Sequence, residues 1–179
     1  MVRELTEEQQ RVRGYLLGQS ERYSWIELWP RVTEARLQLV EALRGVTDEQ
    51  ARFKPPDDGW SILEVADHIT NNSRSVISLV QTLAIGEQPQ SREALRDERP
   101  ASVEDQPIAD LRTQLIELGM QLTGLVGRLP DPPSMTGEHD HVFFGPLHCK
   151  AWYLFQRVHD TDHANQINAV KQAPGYPTA

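Results

Sequence analysis

The stretch that decides the fold is residues 145–170 near the C-terminal end, GPLHCKAWYLFQRVHDTDHANQINAV. Apolar and aromatic residues recur there at intervals of three and four from Trp152 to Val170, which predicts a helix with one face towards a core. His159 and His163 lie on that face. Residues four apart on a helix project from the same side, so the two imidazoles could share one metal ion. Two alternatives stay open at this point: histidines hydrogen-bonded within the core, and histidines at the surface.

Capping boxes and apolar periodicity predict three more long amphipathic helices upstream, preceded by a short helix at about residues 7–17. The first long helix begins either at a cap on Ser24 or near Pro30, because a proline six residues after the cap would deform it. We find no strand pattern, and residues 131–146 are predicted to form a loop that holds His139 and His141. The predicted bounds of the long helices are about 30–44, 61–86, 107–130 and 146–173.

Four long helices in about 150 residues predict an all-α protein, an antiparallel four-helix bundle with an extra short helix at the N-terminus. The chain of 179 residues is long enough for one substantial core and too short to make two domains the expectation. We therefore predict a single domain over residues 1–179, in which residues 1–22 contain the additional helix. The polar residues 86–106, broken by two prolines, are predicted to be a long surface connection between helices.

Composition argues against several classes of partner. The chain has 18 basic and 26 acidic residues and a net charge of −8, with no local Lys/Arg cluster, so we expect no nucleic acid partner. No apolar run reaches the roughly 20 residues that cross a bilayer, and the polar N-terminus lacks the apolar core of a signal peptide. We therefore predict a cytoplasmic protein with no membrane partner. A single cysteine, Cys149, excludes an intramolecular disulfide and a cysteine-rich zinc site.

A third histidine completes a possible ligand set. His68 lies two turns inside the predicted helix that begins at Ser61, close to its apolar stripe. Bundle cores commonly hold metal sites built from facing helices. His68, His159 and His163 could therefore supply three nitrogens to one divalent ion and leave positions open for water or substrate, which is the arrangement of a catalytic site rather than a structural one.

Two motifs give the chain a family resemblance. The first, Pro-x-x-x-Gly-Trp-Ser-Ile-x-Glu-x-x-x-His, runs from Pro55 to His68, and the second runs from Phe-Gly-Pro-Leu at Phe144 to His-x-x-x-His-x-x-Gln-Ile at Ile167. Over residues 30–172 the chain resembles the DinB-like superfamily. The resemblance implies a four-helix bundle of up-down-down-up connectivity, a homodimer, and a divalent metal ion held by a histidine triad. Carried over by position, that triad is His68, His159 and His163.

The resemblance also suggests three functions. Related transferases use the metal to activate a low-molecular-weight thiol, so the first hypothesis is a thiol S-transferase acting on an electrophilic small molecule. The second is a hydrolase that uses metal-bound water, and the third is a metal-binding or dimer-forming protein without catalysis. Three imidazoles suit zinc or nickel, and iron or manganese are also compatible with them.

Four further residues are candidates for the chemistry. Asp160 and Asp162 lie between the two helical histidines, and either is a possible base for the hydrolase. Asn72 follows His68 by one turn and is predicted either to orient a ligand or substrate, or to satisfy a backbone group. His141, in the predicted loop before the last helix, is a candidate to reach over the site, as is His139; the alternative is that both are solvated.

Overall fold

A computed structural model describes residues 5–91, 93–95, 98–100, 103 and 106–178, and helices dominate that part of the chain. Parts of the predicted surface connection at residues 86–106, namely residues 92, 96–97, 101–102 and 104–105, lie outside the described residues. No described helix has both the length and the apolar character needed to cross a membrane. The helices are α1 Glu7–Arg22, α2 Trp25–Ala42, α3 Asp48–Arg52, α4 Ile62–Ala84, α5 Ile108–Leu125 and α6 Cys149–Lys171, and the strands are β1 Glu138–His141 and β2 Gly145–His148.

Side-chain caps explain where several helices begin. The side chains of Thr6, Thr47 and Ser61 each accept a hydrogen bond from the backbone N–H three residues later. The side-chain oxygen of the Gln or Glu at that later position accepts in turn from the backbone N–H of the cap residue. This reciprocal pairing satisfies backbone donors that have no partner inside the helix. Of the two predicted starts for α2, the structure has the earlier one, with Ser24 as the cap and Pro30 inside the helix.

Helices α2, α4, α5 and α6 enclose the core. α6 packs against α2 and α4, and α5 packs against the same two helices from the other side. α1 was predicted to end near residue 17 but continues to Arg22, and it packs on α6. The five-residue helix α3 packs on α4. Buried apolar residues form two clusters, one around Trp152 and Tyr153 and the other around Ile69 and Ile167. The mostly helical prediction is confirmed.

Two short strands depart from the prediction. Residues 131–146 were expected to be a loop and Pro146 to start the last helix, but β1 and β2 pair antiparallel, with His141 opposite Gly145, and α6 begins at Cys149. Leu95 adds a bridge to His141 from the long connection. Four-residue strands of sequence EHDH and GPLH carry too little apolar alternation for the pattern to be recognised in the sequence.

His148 joins the hairpin, α6 and α1. Its Nδ1 accepts a hydrogen bond from the backbone N–H of Ala151 and so caps α6, while its Nε2 lies 3.3 Å from the hydroxyl oxygen of Ser20 on α1. Since Nδ1 is the acceptor, the neutral ring carries its proton on Nε2. Burial lowers the pKa of His148, and Glu21 acts in the opposite direction.

This arrangement predicts a pH dependence of stability. A histidine whose folded pKa lies below its unfolded value of about 6.5 stabilises the fold fully above about pH 6.5, and that contribution is lost as the pH falls through the folded pKa. We expect the His148→Asn variant, which keeps a capping oxygen but does not titrate, to lose less unfolding free energy than the wild type between about pH 7.5 and about pH 5.5. Urea denaturation at both values measures this. An equal loss of unfolding free energy in the variant and the wild type would contradict the lowered pKa of His148.

Candidate metal centre

Three histidines from two helices converge in the core. His68 projects from α4, and His159 and His163 project from consecutive turns of α6. The Nε2 atom of His159 lies 3.0 Å from the Nε2 of His68 and 3.2 Å from the Nε2 of His163. All three residues are buried, with exposures of 7%, 3% and 9% for His68, His159 and His163. One ring nitrogen from each lies within 4.8 Å of the other two, so the three could hold a metal ion.

The donor set fits a divalent transition metal. At a metal–nitrogen distance of about 2.0–2.1 Å, two tetrahedral ligands have their nitrogens about 3.3 Å apart, which is close to the separations found here. Neutral imidazole is a preferred ligand for zinc, nickel and iron. Three side-chain ligands on a tetrahedral ion leave one position for a further ligand.

Gln166 orients one member of the triad. Its side-chain oxygen Oε1 lies 2.7 Å from Nδ1 of His163. A carbonyl oxygen can only accept, so in the neutral ring the proton is on Nδ1 and the lone pair is on Nε2, which is the nitrogen that faces the other two histidines. Outer partners of this kind fix the tautomer and the ring orientation of metal-binding histidines.

Aromatic rings surround the triad. The half-buried ring of Trp60 lies edge-on to His68 with centroids 5.2 Å apart, and nearly parallel to His163 at 6.1 Å. Phe155 lies on the other side, 5.2 Å from the ring of His159. These rings limit the access of water, and a metal ion in such surroundings would interact strongly with a charged ligand because the local dielectric is low.

A buried ion pair involves Asp160, the residue that follows His159 on α6. The guanidinium of Arg36 on α2 donates to both carboxylate oxygens of Asp160, at 2.8 and 3.1 Å, and to the side chains of Ser73 and Gln156. Arg36 is 4% exposed and Asp160 is fully buried. Burial raises the pKa of Asp160, and the guanidinium opposes that shift. α5 passes close by because residue 119 is glycine: a Cβ atom there would lie 2.8 Å from Cγ of Arg36.

Comparison with known proteins places the chain in a family. Residues 31–167 match the sequence profile of the DinB superfamily. The chain belongs to the DinB superfamily. It is also 25% identical over 153 residues to the Uncharacterized protein YuaE of Bacillus subtilis (strain 168), an alignment that covers 78% of this chain and 94% of that relative. No solved structure matches.

Two of the other predicted residues of this DinB protein, Asp160 and Asn72, bond within the Arg36 network. Both oxygens of Asp160 are bonded to Arg36, and Asp162 is exposed on the surface of α6. The Oδ1 atom of Asn72 accepts from Gln156, which links Asn72 to the Arg36 network. None of these hydrogen bonds joins Asp160 or Asn72 to the three histidines.

His141 and His139 lie on β1, so the prediction that they belong to a loop is wrong. The ring of His141 is buried against Phe144 and Phe155, and its Nδ1 accepts from the backbone N–H of Phe143. Phe155 therefore stands between His141 and His159. His139 is half-buried near Trp152, whose indole N–H donates to its carbonyl oxygen.

Arg36 and Arg99 are the residues of this DinB site that the sequence reasoning missed. A charged residue on the apolar stripe of α2 was the available signal for Arg36. Arg99, in the long connection before α5, donates to the carboxylate of Glu64 and to the carbonyl oxygens of Asp58 and Gly59, at 3.1–3.2 Å. Burial alone would raise the pKa of Glu64, but Arg99, Lys54 and the Ser61 cap lower it to about 2. These bonds hold the loop that carries Trp60.

We predict that Gln166→Leu weakens metal binding by about 10- to 100-fold, because the variant lacks the acceptor that keeps the proton of His163 on Nδ1. Gln166→Glu keeps an acceptor and should retain affinity within a few-fold of the wild type. Competition with a chromophoric chelator measures both affinities. Equal affinity in Gln166→Leu and the wild type would show that the amide has no such role.

Proposed function

We propose that the chain binds one divalent metal ion through His68, His159 and His163 and acts as a metal-dependent thiol S-transferase on electrophilic small molecules. The convergence of three Nε2 atoms from two helices is the observation that carries the proposal. Membership of the DinB superfamily supports it. We favour zinc or nickel, because neutral imidazoles suit both, with iron or manganese as further candidates.

The chemistry that the metal would supply is a lower thiol pKa, so that the thiolate, which is the nucleophile, is present near neutral pH. The chain's own residues have separate tasks in this proposal. The triad holds the ion, and Gln166 keeps the lone pair of His163 directed at it. Trp60 and Phe155 exclude water from the space beside the imidazoles, which favours attack by sulfur over attack by water.

The two carboxylates between His159 and His163 do not favour water as the nucleophile. A hydrolase needs a base within hydrogen-bond reach of the attacking water. The carboxylate of Asp160 accepts two hydrogen bonds from Arg36, and Asp162 is at the surface. The thiol reading needs no further base, because a metal-bound thiol loses its proton at neutral pH.

We also propose an up-down-down-up connectivity for the bundle. Trp25 packs on Tyr153 at the start of α2 and α6, and Nζ of Lys171 donates to the carbonyl oxygen of Ala42 at their ends, which supports a parallel pair. The starts of α4 and α5 share one core cluster with the ends of α2 and α6. A single domain over residues 1–179, with the bundle at residues 30–172, stays a prediction. A homodimer and a cytoplasmic location stay predictions.

The proposal is tested with metal-loaded and chelator-treated protein, a panel of low-molecular-weight thiols and a generic electrophile such as a halodinitrobenzene. We expect loss of free thiol above the uncatalysed rate only with the loaded protein. Consumption of electrophile without added thiol would indicate the hydrolase instead. Metal binding with no turnover in either assay would contradict the transferase and leave a metal-binding protein without catalysis.

A further inference from the structure

A pocket of about 370 Å³ adjoins the triad. It lies between the loop at residues 55–60, which precedes α4, and the C-terminal end of α6. It is open to solvent on one side. Its walls include Pro55, Pro56, Trp60, Ala169, Val170 and Pro174.

Two residues belong to both the pocket and the candidate metal centre. Trp60 lines the pocket and its ring contacts His68 and His163. Gln166 lines the pocket and its amide oxygen meets Nδ1 of His163. The three histidines do not line the pocket, but two of its lining side chains contact them. The pocket is therefore next to the triad, where it could hold one part of a substrate.

The walls define the chemical class of that part. Proline rings, alanine and valine side chains and one indole form most of the surface, and none of the described lining residues is basic. Asp57 is the acidic member, and its Oδ1 already accepts a hydrogen bond from the backbone N–H of Gly59 at 3.1 Å. An anion would find no cationic partner here, and a sugar would find few polar side chains to bond its hydroxyl groups. Flat apolar groups gain the most binding free energy, because they bury apolar surface and stack on the indole of Trp60.

We propose that this pocket binds an uncharged aromatic or alicyclic group of the substrate, packed against Trp60. The inference rests on the proposed function for what the bound molecule then undergoes, and it narrows that function to electrophiles with an apolar ring. The binding itself depends on the pocket walls and can be measured without turnover.

The test uses 2-naphthol as the probe and two phenylalanine variants of neighbouring residues on α6. Ala169 is exposed and lines the pocket, so Ala169→Phe fills part of it without disturbing the core. Asn168 is also exposed but lines a different groove, between α2 and α6, so Asn168→Phe adds the same bulk elsewhere. Equilibrium dialysis on the full chain, with and without metal, gives the affinities.

We expect saturable binding by the wild type, about tenfold or more weaker binding by Ala169→Phe, and binding by Asn168→Phe within about twofold of the wild type. Equal affinity in Ala169→Phe and the wild type, or no saturable binding by the wild type, would overturn the inference. Displacement of 2-naphthol by methyl glucoside at similar concentration would overturn the apolar class. If the protein binds 2-naphthol but takes up no metal, the proposed function is refuted and this inference stands. If the protein transfers thiols but does not bind 2-naphthol, this inference is refuted and the proposed function stands.

Discussion

Replacing His159 by alanine should abolish stoichiometric metal binding. The Nε2 atom of His159 is the central one of the three, within 3.2 Å of the corresponding atoms of His68 and His163. Its loss leaves two ligands on two different helices. Even an outer partner of a ligand contributes about 10- to 100-fold to metal affinity, so we expect the loss of a direct ligand to exceed about 100-fold.

Elemental analysis after dialysis, together with chelator competition, measures this loss. His139→Ala is the matched control, because it removes a half-buried imidazole on β1 that lies outside the triad, and it should bind metal as the wild type does. Circular dichroism checks that the helices remain. His163→Asn provides a second variant with a smaller change in volume. Full metal content in both triad variants would refute the site.

Replacing Arg36 by methionine should be the most destabilising of the single changes considered. Arg36 is the cation that compensates the fully buried carboxylate of Asp160, and it also donates to Ser73 and Gln156. Breaking a buried ion pair by removing one partner costs about 3–5 kcal/mol. Protonation of Asp160 would limit the cost, so we expect a loss of about 3 kcal/mol in the free energy of unfolding at neutral pH.

Urea denaturation measures the loss, and a surface pair provides the control. Arg44 pairs with Glu41 at 2.7 Å, but both side chains are more than half exposed, so Arg44→Met should change the free energy of unfolding by about 0–1 kcal/mol. The double variant Arg36→Met/Asp160→Leu should recover part of the stability, because an apolar pair replaces the unpaired carboxyl group. An Arg36→Met protein as stable as Arg44→Met would show that the ion pair contributes little.

The helical part of the fold was predictable because its signals are local. The boxes at Thr6, Thr47 and Ser61 bring capping side chains and backbone donors together within four residues. The hairpin could not be found in this way. Its four-residue strands lack a clear apolar alternation, and the contacts that His141 makes with Leu95 and with Trp152 of α6 join residues that are remote in sequence.

The candidate site was predictable in part for the same reason. The spacing of His159 and His163 is local, and the family motifs added His68. The spacing alone did not show that Asp160 faces away from the triad. On a helix, the residue after a ligand points about 100° round the axis, and here that direction leads to Arg36 on α2. Which residue of a neighbouring helix faces Asp160 depends on how the helices pack, and the local sequence does not contain that information.

The hydrogen bonds of Arg99 tie the long connection before α5 to the loop that precedes α4. They attach it to Glu64 and to the loop of Asp58 and Gly59, and the next residue of that loop is Trp60. The three histidines that could hold a metal ion lie on α4 and α6 and take part in none of these bonds. We therefore expect natural variation in this connection to alter which compounds a member of the family accepts while leaving its choice of ion untouched, so that selectivity and metal use can diverge independently during evolution.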